Sequence, residues 1–283
     1  MQSGVVLCPI DFSQLAAREL ELAVQVCRAF GARLVLHHNV SAISPGFSKA
    51  WEWDREHQGA EPSAGEAHQR VKALMKQLPG GVQGEAVVTE GPLATVVLAL
   101  ARELPADLLV LGTHGWSTEE HASLTERIID HAPCPVLTIH DPGSLRTFRL
   151  KSEPGGELPR LIVPTDFSEA AGKAVAYAIT LARELPLRLD LLHISQIPDN
   201  AAVLETLDGL VPSDLRDRVE CHVRIGRAEE EIEKFLRQVE PELVVMGTHA
   251  RSFWRRLSRR DVARELLHGA TCPVCFVPPT VVC

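Results

Sequence analysis

Short apolar runs of four to seven residues alternate along the chain with longer stretches whose apolar positions recur every three or four residues. Read with the strand period of two and the helix period of 3.6, this pattern predicts strands in the first half at about 4–9, 33–40, 82–88, 107–112 and 135–139. Helices are predicted near 14–30, 64–78, 93–103 and 123–131. "SQLAARELELAVQVCRAFGA" carries the helical spacing most clearly and ends on a glycine stop at Gly31. The strands are nearly continuous in apolar residues, which predicts a parallel sheet covered on both faces.

The pattern repeats. "CPIDFSQLAARELELA" (8–23) matches "VPTDFSEAAGKAVAYA" (163–178) at an offset of 155, and "LVLHHNV" matches "LDLLHIS" at the same offset. Gly91 pairs with Gly226 at an offset of 135, and "LVLGTHGWS" (109–117) pairs with "VVMGTHARS" (244–252) at that same offset. "APCPVLTI" pairs with "ATCPVCFV", Cys134 with Cys272, at 138. The first copy therefore carries 20 extra residues between its second and third strands. A period this long is a duplicated domain, not a solenoid. Boundaries are expected at 1–142 and 159–283, with a linker over 143–158 inside the Pro-, Gly- and charge-rich "DPGSLRTFRLKSEPGGELP". The insertion around 41–65, with Trp51 and Trp53, reads either as an ordered lid or as a mobile loop, and its Ser, Pro, Gly and Glu content favours the loop.

Composition narrows the classes. At 283 residues the chain suits two domains of about 140, each able to bury a core. A net charge of −8 argues against broad binding to nucleic acid or an anionic membrane. No run approaches the roughly 20 apolar residues of a membrane span. The sequence enters a strand-like run at once, without a charged leader, which sets an expectation of a cytoplasmic protein. Seven scattered cysteines form no disulfide framework and fit a reducing compartment. Cys272 and Cys275 spell a CxxC, but in an extended segment positions three apart face opposite sides, so both are expected to be core hydrophobes.

A parallel open sheet binds ligands beyond the carboxyl ends of its strands. Those ends carry Pro9, Ile10, Asp11, Asn39, Gly112, His114 and Gly115 in copy one, and Pro164, Thr165, Asp166, Ile194, Gly247 and His249 in copy two. Asp11 and Asp166 suit either a ligand contact or a helix N-cap. His114 and His249 each stand without a second metal-ligand spacing, so a tethered loop histidine is the favoured reading. Five arginines at Arg251, Arg255, Arg256, Arg259 and Arg260 fit a phosphate or nucleic-acid contact or, more simply, a solvated loop and helix face. No GxGxxG follows either first strand and no GxxxxGK(S/T) occurs, which disfavours a dinucleotide-dependent dehydrogenase and a P-loop NTPase.

Taken in order and found twice, "PxDFS", "GTH(G/A)" and the closing "(A)xCPV" resemble the universal stress protein family across both halves, outside the linker and the insertion. The resemblance implies two tandem doubly wound α/β sheets of five parallel strands, of the adenine nucleotide alpha hydrolase type, joined through "PVLTI" and "PVCFV" as an internal pseudo-dimer. It also implies ATP as ligand for those members that carry Gly-x-x-Gly, nine residues and Gly-Ser, while copy two suits adenosine or AMP, which need no cradle for the outer phosphate. In such members glycines admit the ribose and phosphates, and the helix start holds the outer phosphates. Asp11 and Asp166 stand where the adenine is met.

Each copy departs from that pattern. Copy one keeps Gly112 and Gly115, but Gly-Ser becomes Ala122 and Ser123 only six residues on, behind Glu119 and Glu120. Ser123 with Glu126 also spells a capping box. Asn39 replaces the usual apolar residue beside the ribose. Copy two keeps the spacing, but Ala250 replaces the second glycine and Arg260 with Asp261 replaces Gly-Ser. The Asp261 carboxylate thus competes with a phosphate for the helix start. Pro164, Thr165, Asp166, Ile194, Gly247, His249 and Arg251 remain as its candidate contacts, and Pro9, Ile10, Asp11, Asn39, Gly112, His114, Gly115 and Ser123 are those of copy one. The reading is a stress-response binding or sensor protein with degenerate nucleotide pockets and no strong turnover. Its alternatives are an ATP binder with slow hydrolysis through copy one, and a structural module working through protein partners. A homodimer of the tandem chain is a further expectation.

Overall fold

The computed structural model describes residues 4–12, 14–40, 63–113, 119–139, 148–150, 156–197, 201–248, 262, 266–267 and 270–279. The first half runs β1 (Val5–Pro9), α1 (Gln14–Phe30), β2 (Arg33–Val40), α2 (Ala64–Lys76), β3 (Gly84–Glu90), α3 (Leu93–Glu103), β4 (Leu108–Gly112), α4 (Glu119–His131) and β5 (Val136–Ile139). The second runs β6 (Arg160–Pro164), α5 (Glu169–Glu184), β7 (Arg188–Ser195), α6 (Ala201–Gly209), β8 (Val219–Ile225), α7 (Ala228–Val239), β9 (Leu243–Gly247) and β10 (Val274–Val277). Helix α1 stops where Gly31 takes φ 66°, and Ala32 N–H returns to the Cys27 carbonyl at 3.0 Å. The capping box expected at Ser123 is found at Ser63 instead, where the hydroxyl accepts the Glu66 N–H and the Glu66 carboxylate accepts the Ser63 N–H.

The ten strands among the described residues form one sheet in the order β3-β2-β1-β4-β5-β10-β9-β6-β7-β8. Every neighbour within a half is parallel. The two halves meet at the antiparallel pair β5–β10. The seam is symmetric about one residue pair: Leu137 lies opposite its own counterpart Cys275, flanked by Val136 with Phe276 and Thr138 with Val274. Thr138 Oγ1 donates to the Val274 carbonyl at 3.1 Å, so the one polar side chain of that register is satisfied across the seam.

Alternation along each strand divides the core into two layers. Val6 and Cys8 face a layer containing residues of α1, α2, α5 and α6, while Val5 and Leu7 face one containing residues of α3, α4 and α7. Both layers run through the two halves, so the hydrophobic burial that drives folding is shared between them. The expected linker is partly built into this core: Phe148 and Leu150 are buried, and Arg149 donates from its backbone and guanidinium to Glu242. Cys272 and Cys275 lie in opposite layers, and burial pushes the Cys272 thiol up to about 12 and that of Cys275 higher still. Both are core hydrophobes.

Candidate functional site

Strand β1 pairs with β2 on one side and β4 on the other, so the chain reverses its winding direction there. Strand β6 does the same between β7 and β9. Such a reversal leaves a crevice at the carboxyl ends of the two central strands. The residues that close β1 and β6 make the same turn in both halves. Phe12 and Phe167 each take φ 61°, a left-handed conformation that costs a non-glycine residue about 1–2 kcal/mol.

What holds that turn is an imidazole. The Phe12 ring lies 4.4 Å from the ring of His38 at 41°, and Phe167 lies 4.7 Å from His193 at 32°. His38 Nδ1 donates to the Ile10 carbonyl at 2.8 Å, and His193 Nδ1 donates to the Thr165 carbonyl at 2.8 Å. A carbonyl only accepts, so the proton is fixed on Nδ1 in both rings. In copy two the loop is tied further: Thr165 Oγ1 accepts the Phe167 N–H at 3.2 Å and the Asp166 carboxylate accepts the Ser168 N–H at 2.9 Å. Ser168 Oγ accepts the Ala171 N–H at 3.2 Å, making Ser168 the N-cap of α5. The N-cap reading of Asp166 is thereby corrected. Its carboxylate shapes the turn one step earlier and stays exposed at the crevice mouth. The two histidines were legible only as strand-end residues at one offset; their buttressing role needed the fold.

The Gly-Thr-His loops divide into two jobs. Thr113 N–H and Oγ1 both reach the Ile139 carbonyl, at 2.8 and 3.0 Å, and Thr248 repeats this toward Val277 at 2.9 and 3.4 Å. Both threonines are buried and lash the loop to the closing strand. Gly247 has a packing reason of its own, because a Cβ there would lie 2.0 Å from the Ala170 carbonyl oxygen at the start of α5. His114, Gly115, His249 and Arg251 lie outside the described residues, as do the arginines at 255–260, Asp261 and the insertion over 41–62. Helix α4 begins at Glu119, so Ser123 sits inside the helix and cannot be its N-cap. The capping-box reading fails because the helix starts four residues earlier, on Glu119 and Glu120.

Asn39 and Ile194 occupy equivalent positions with different consequences. Asn39 Nδ2 donates to the Gly91 carbonyl at 2.9 Å and its Oδ1 accepts from Thr89 Oγ1 at 3.1 Å. Thr89 Oγ1 also lies 2.7 Å from His37 Nε2. Burial, and next to it the neighbouring His38, push the His37 pKa down to about 4. In copy two Gln196 Nε2 donates to the Gly226 carbonyl at 2.8 Å, supplying the bond that Asn39 makes in copy one. Both glycines need their freedom, with φ 120° at Gly91 and 148° at Gly226. Beside Phe12, a shallow cleft of about 270 Å³ is lined by Phe12, Arg70, Ala73, Leu74 and Gln77, with the Arg70 guanidinium 5.9 Å above the ring. The crevices thus offer a shaped backbone turn, a carboxylate at the mouth of copy two and aromatic faces.

Comparison with known proteins agrees with this architecture. The profile of the Universal stress protein family matches residues 3–140 and 158–278. Universal stress protein MJ0531 of Methanocaldococcus jannaschii is 28% identical over 142 residues, 48% of this chain and 82% of that protein. A Thermus aquaticus universal stress protein, from the region 3' of the QAH/OAS sulfhydrylase, is 29% identical over 142 residues, 47% of this chain and 96% of its own. A universal stress protein of Archaeoglobus fulgidus superposes with a TM-score of 0.73 at 17% identity, covering 98% of this chain and 97% of the other, which shows the shared tandem fold. Among the described residues, no helix is long and apolar enough to cross a membrane. With both halves matched in sequence and the tandem sheet matched in shape, the chain belongs to the universal stress protein family.

Proposed function

We propose that the chain is a stress-response binding protein that senses an AMP-type adenine nucleotide at the two strand-end crevices and turns it over slowly or not at all. The observation that carries this reading is the twice-built Asp-Phe-Ser turn. Phe12 and Phe167 keep the same left-handed φ and the same histidine buttress, although the phosphate side of each copy has changed. A strained turn kept on the wall of a crevice is spent on presenting groups to a ligand. In copy one the candidate contacts are Pro9, Ile10, Asp11, Asn39, Gly112, His114, Gly115 and Ser123, with both loop glycines retained. In copy two they are Pro164, Thr165, Asp166, Ile194, Gly247, His249 and Arg251.

The phosphate end argues for AMP over ATP. Two glutamates open α4, and like charge at a helix start opposes an outer phosphate. Asp261 does the same by sequence in copy two. Of the two, copy one is the better ATP site, because Arg260 and Asp261 add bulk as well as charge where Gly-Ser would stand. A second reading, a protein-interaction module, draws on one observation: Phe167, Ile197 and Ile225 are exposed at the same end of β6, β7 and β8.

Native mass spectrometry of freshly purified full-length chain, followed by calorimetric titration with AMP and with ATP, tests the reading. Saturable micromolar heat with AMP is expected, reduced in stoichiometry by Asp11→Ala and by Asp166→Ala. Tight ATP binding lost on changing Asp166 but not Asp11 would reverse the ranking of the copies. Flat titrations with both ligands overturn the nucleotide reading in favour of the interaction module. Phosphate release above background would make the protein an enzyme.

A further inference from the structure

Away from the crevices, on the face of the sheet covered by α7, copy two holds a polar cluster that copy one lacks. Asp190 on β7 is fully buried, and His222 Nε2 on the edge strand β8 lies 2.8 Å from its Oδ1. Glu220, two residues before His222 and so on the same strand face, brings Oε2 to 3.7 Å from that same nitrogen. One donor atom from each of the three side chains falls within 4.8 Å of the others.

We propose that Asp190, Glu220 and His222 form a binding site for a divalent transition ion of the zinc type. Zinc bonds of about 2.0 Å in a tetrahedron hold neighbouring donors roughly 3.3 Å apart. The spacings of 2.8 and 3.7 Å bracket that value, so small side-chain movements complete three corners. The fourth corner opens to water along the edge strand, where His222 and Glu220 are half-exposed. An imidazole with two carboxylates is a borderline donor set, suited to zinc or cobalt.

Three further observations show how the donors are held. Asp190 Oδ2 is buried and ion-paired with Arg160 Nη1 at 3.6 Å, with no hydrogen bond. The Glu220 side chain is divided between partners, with Oε1 held by Arg188 and Oε2 turned to His222. The His222 ring is fixed against Phe235 of α7 at 4.9 Å, which presents Nε2 to the cluster. Copy one supplies the control. Its register pairs Val35 with Glu85 and His37 with Val87, where copy two pairs Asp190 with Glu220 and Leu192 with His222. Val5 stands at the position of Arg160. The scaffold therefore closes without Asp190 or His222. When the ion binds, the Nε2 proton of His222 moves to Nδ1 or to solvent and the Nε2 lone pair takes the metal, while the carboxylates bind as they stand.

The test uses the full chain, stripped with a chelator, dialysed, and titrated with ZnCl₂ by calorimetry and with CoCl₂ by absorption. One Zn²⁺ per chain is expected, with visible cobalt bands of tetrahedral intensity and no near-ultraviolet thiolate-to-cobalt band. Asp190→Val with His222→Val rebuilds the valines of copy one and should weaken zinc at least thirtyfold while the chain stays folded by circular dichroism. Glu220→Gln changes a half-exposed side chain and should weaken it about tenfold. Failure of the wild type to take up an ion, equal binding by both variants, or a thiolate band would each overturn the site.

Discussion

The same cross-strand slot carries one imidazole in each half, but on opposite strands. In copy one it is His37 on the second strand, facing Val87, and in copy two it is His222 on the third, facing Leu192. His37 joins Thr89, Asn39 and the Gly91 carbonyl toward the crevice. His222 turns the other way, to Asp190 near the amino end of its strand. The comparison teaches that the sheet fixes the slot and leaves its polar content free, with Nε2 of each imidazole given a partner. The glycine carbonyls say the same: Asn39 ties Gly91, and Gln196, two residues beyond the position of Asn39, ties Gly226.

The largest test asks whether a retained loop glycine serves packing or ligand. Gly247→Ala would place a Cβ 2.0 Å from the Ala170 oxygen and 2.3 Å from its carbonyl carbon. Backbone clashes relax poorly, so a loss of more than about 3 kcal/mol in urea unfolding is expected. A loss below about 1 kcal/mol would return this glycine to the ligand. Next comes acid. His37 titrates at about 4 in the folded chain against 6.5 in an unfolded one, so as pH falls the unfolded chain takes its proton first. The stability present above pH 6.5 is lost down to about pH 4, by about 3 kcal/mol in all. His37→Leu, which installs the residue of copy two, should flatten the fall in urea midpoint between pH 7 and 4.5; an unchanged fall refutes the assignment. The smallest effect belongs to Asn39→Ile, again the residue of copy two. Losing bonds to Gly91 and Thr89 should cost about 1–2 kcal/mol. If that variant also binds AMP more tightly while Ile194→Asn does not weaken it, the two ribose positions are not equivalent.

The strands and helices of the first half were readable because period and punctuation agreed; α1 spans the expected residues, and β3 alone shifted by two. The pairing of the closing strands came from resemblance, since no local pattern specifies which edge meets which. Helix α4 starts four residues before its apolar spacing predicts, because "STEEHAS" carries no apolar period to mark its first turn. The crevice is legible from topology, but the bracing role of His38 and His193 is not. A histidine that braces a left-handed phenylalanine is invisible until both stand in space. The Asp190 cluster is hidden in the sequence for a related reason. Its three residues are 30 and 32 positions apart in sequence across β7 and β8, and only the parallel register brings them together.

The seam between β5 and β10 has a consequence in mass-action terms. A chain joined through Phe148 and Leu150, docked in the common core, presents each half to the other at an effective concentration in the millimolar range or above. A union that never has to be found by diffusion needs little intrinsic affinity. The small Thr138 and the large Phe276, counterparts on either side of the Leu137–Cys275 pair, are the unequal contacts that such a tether tolerates and that two separate, identical subunits would have to match.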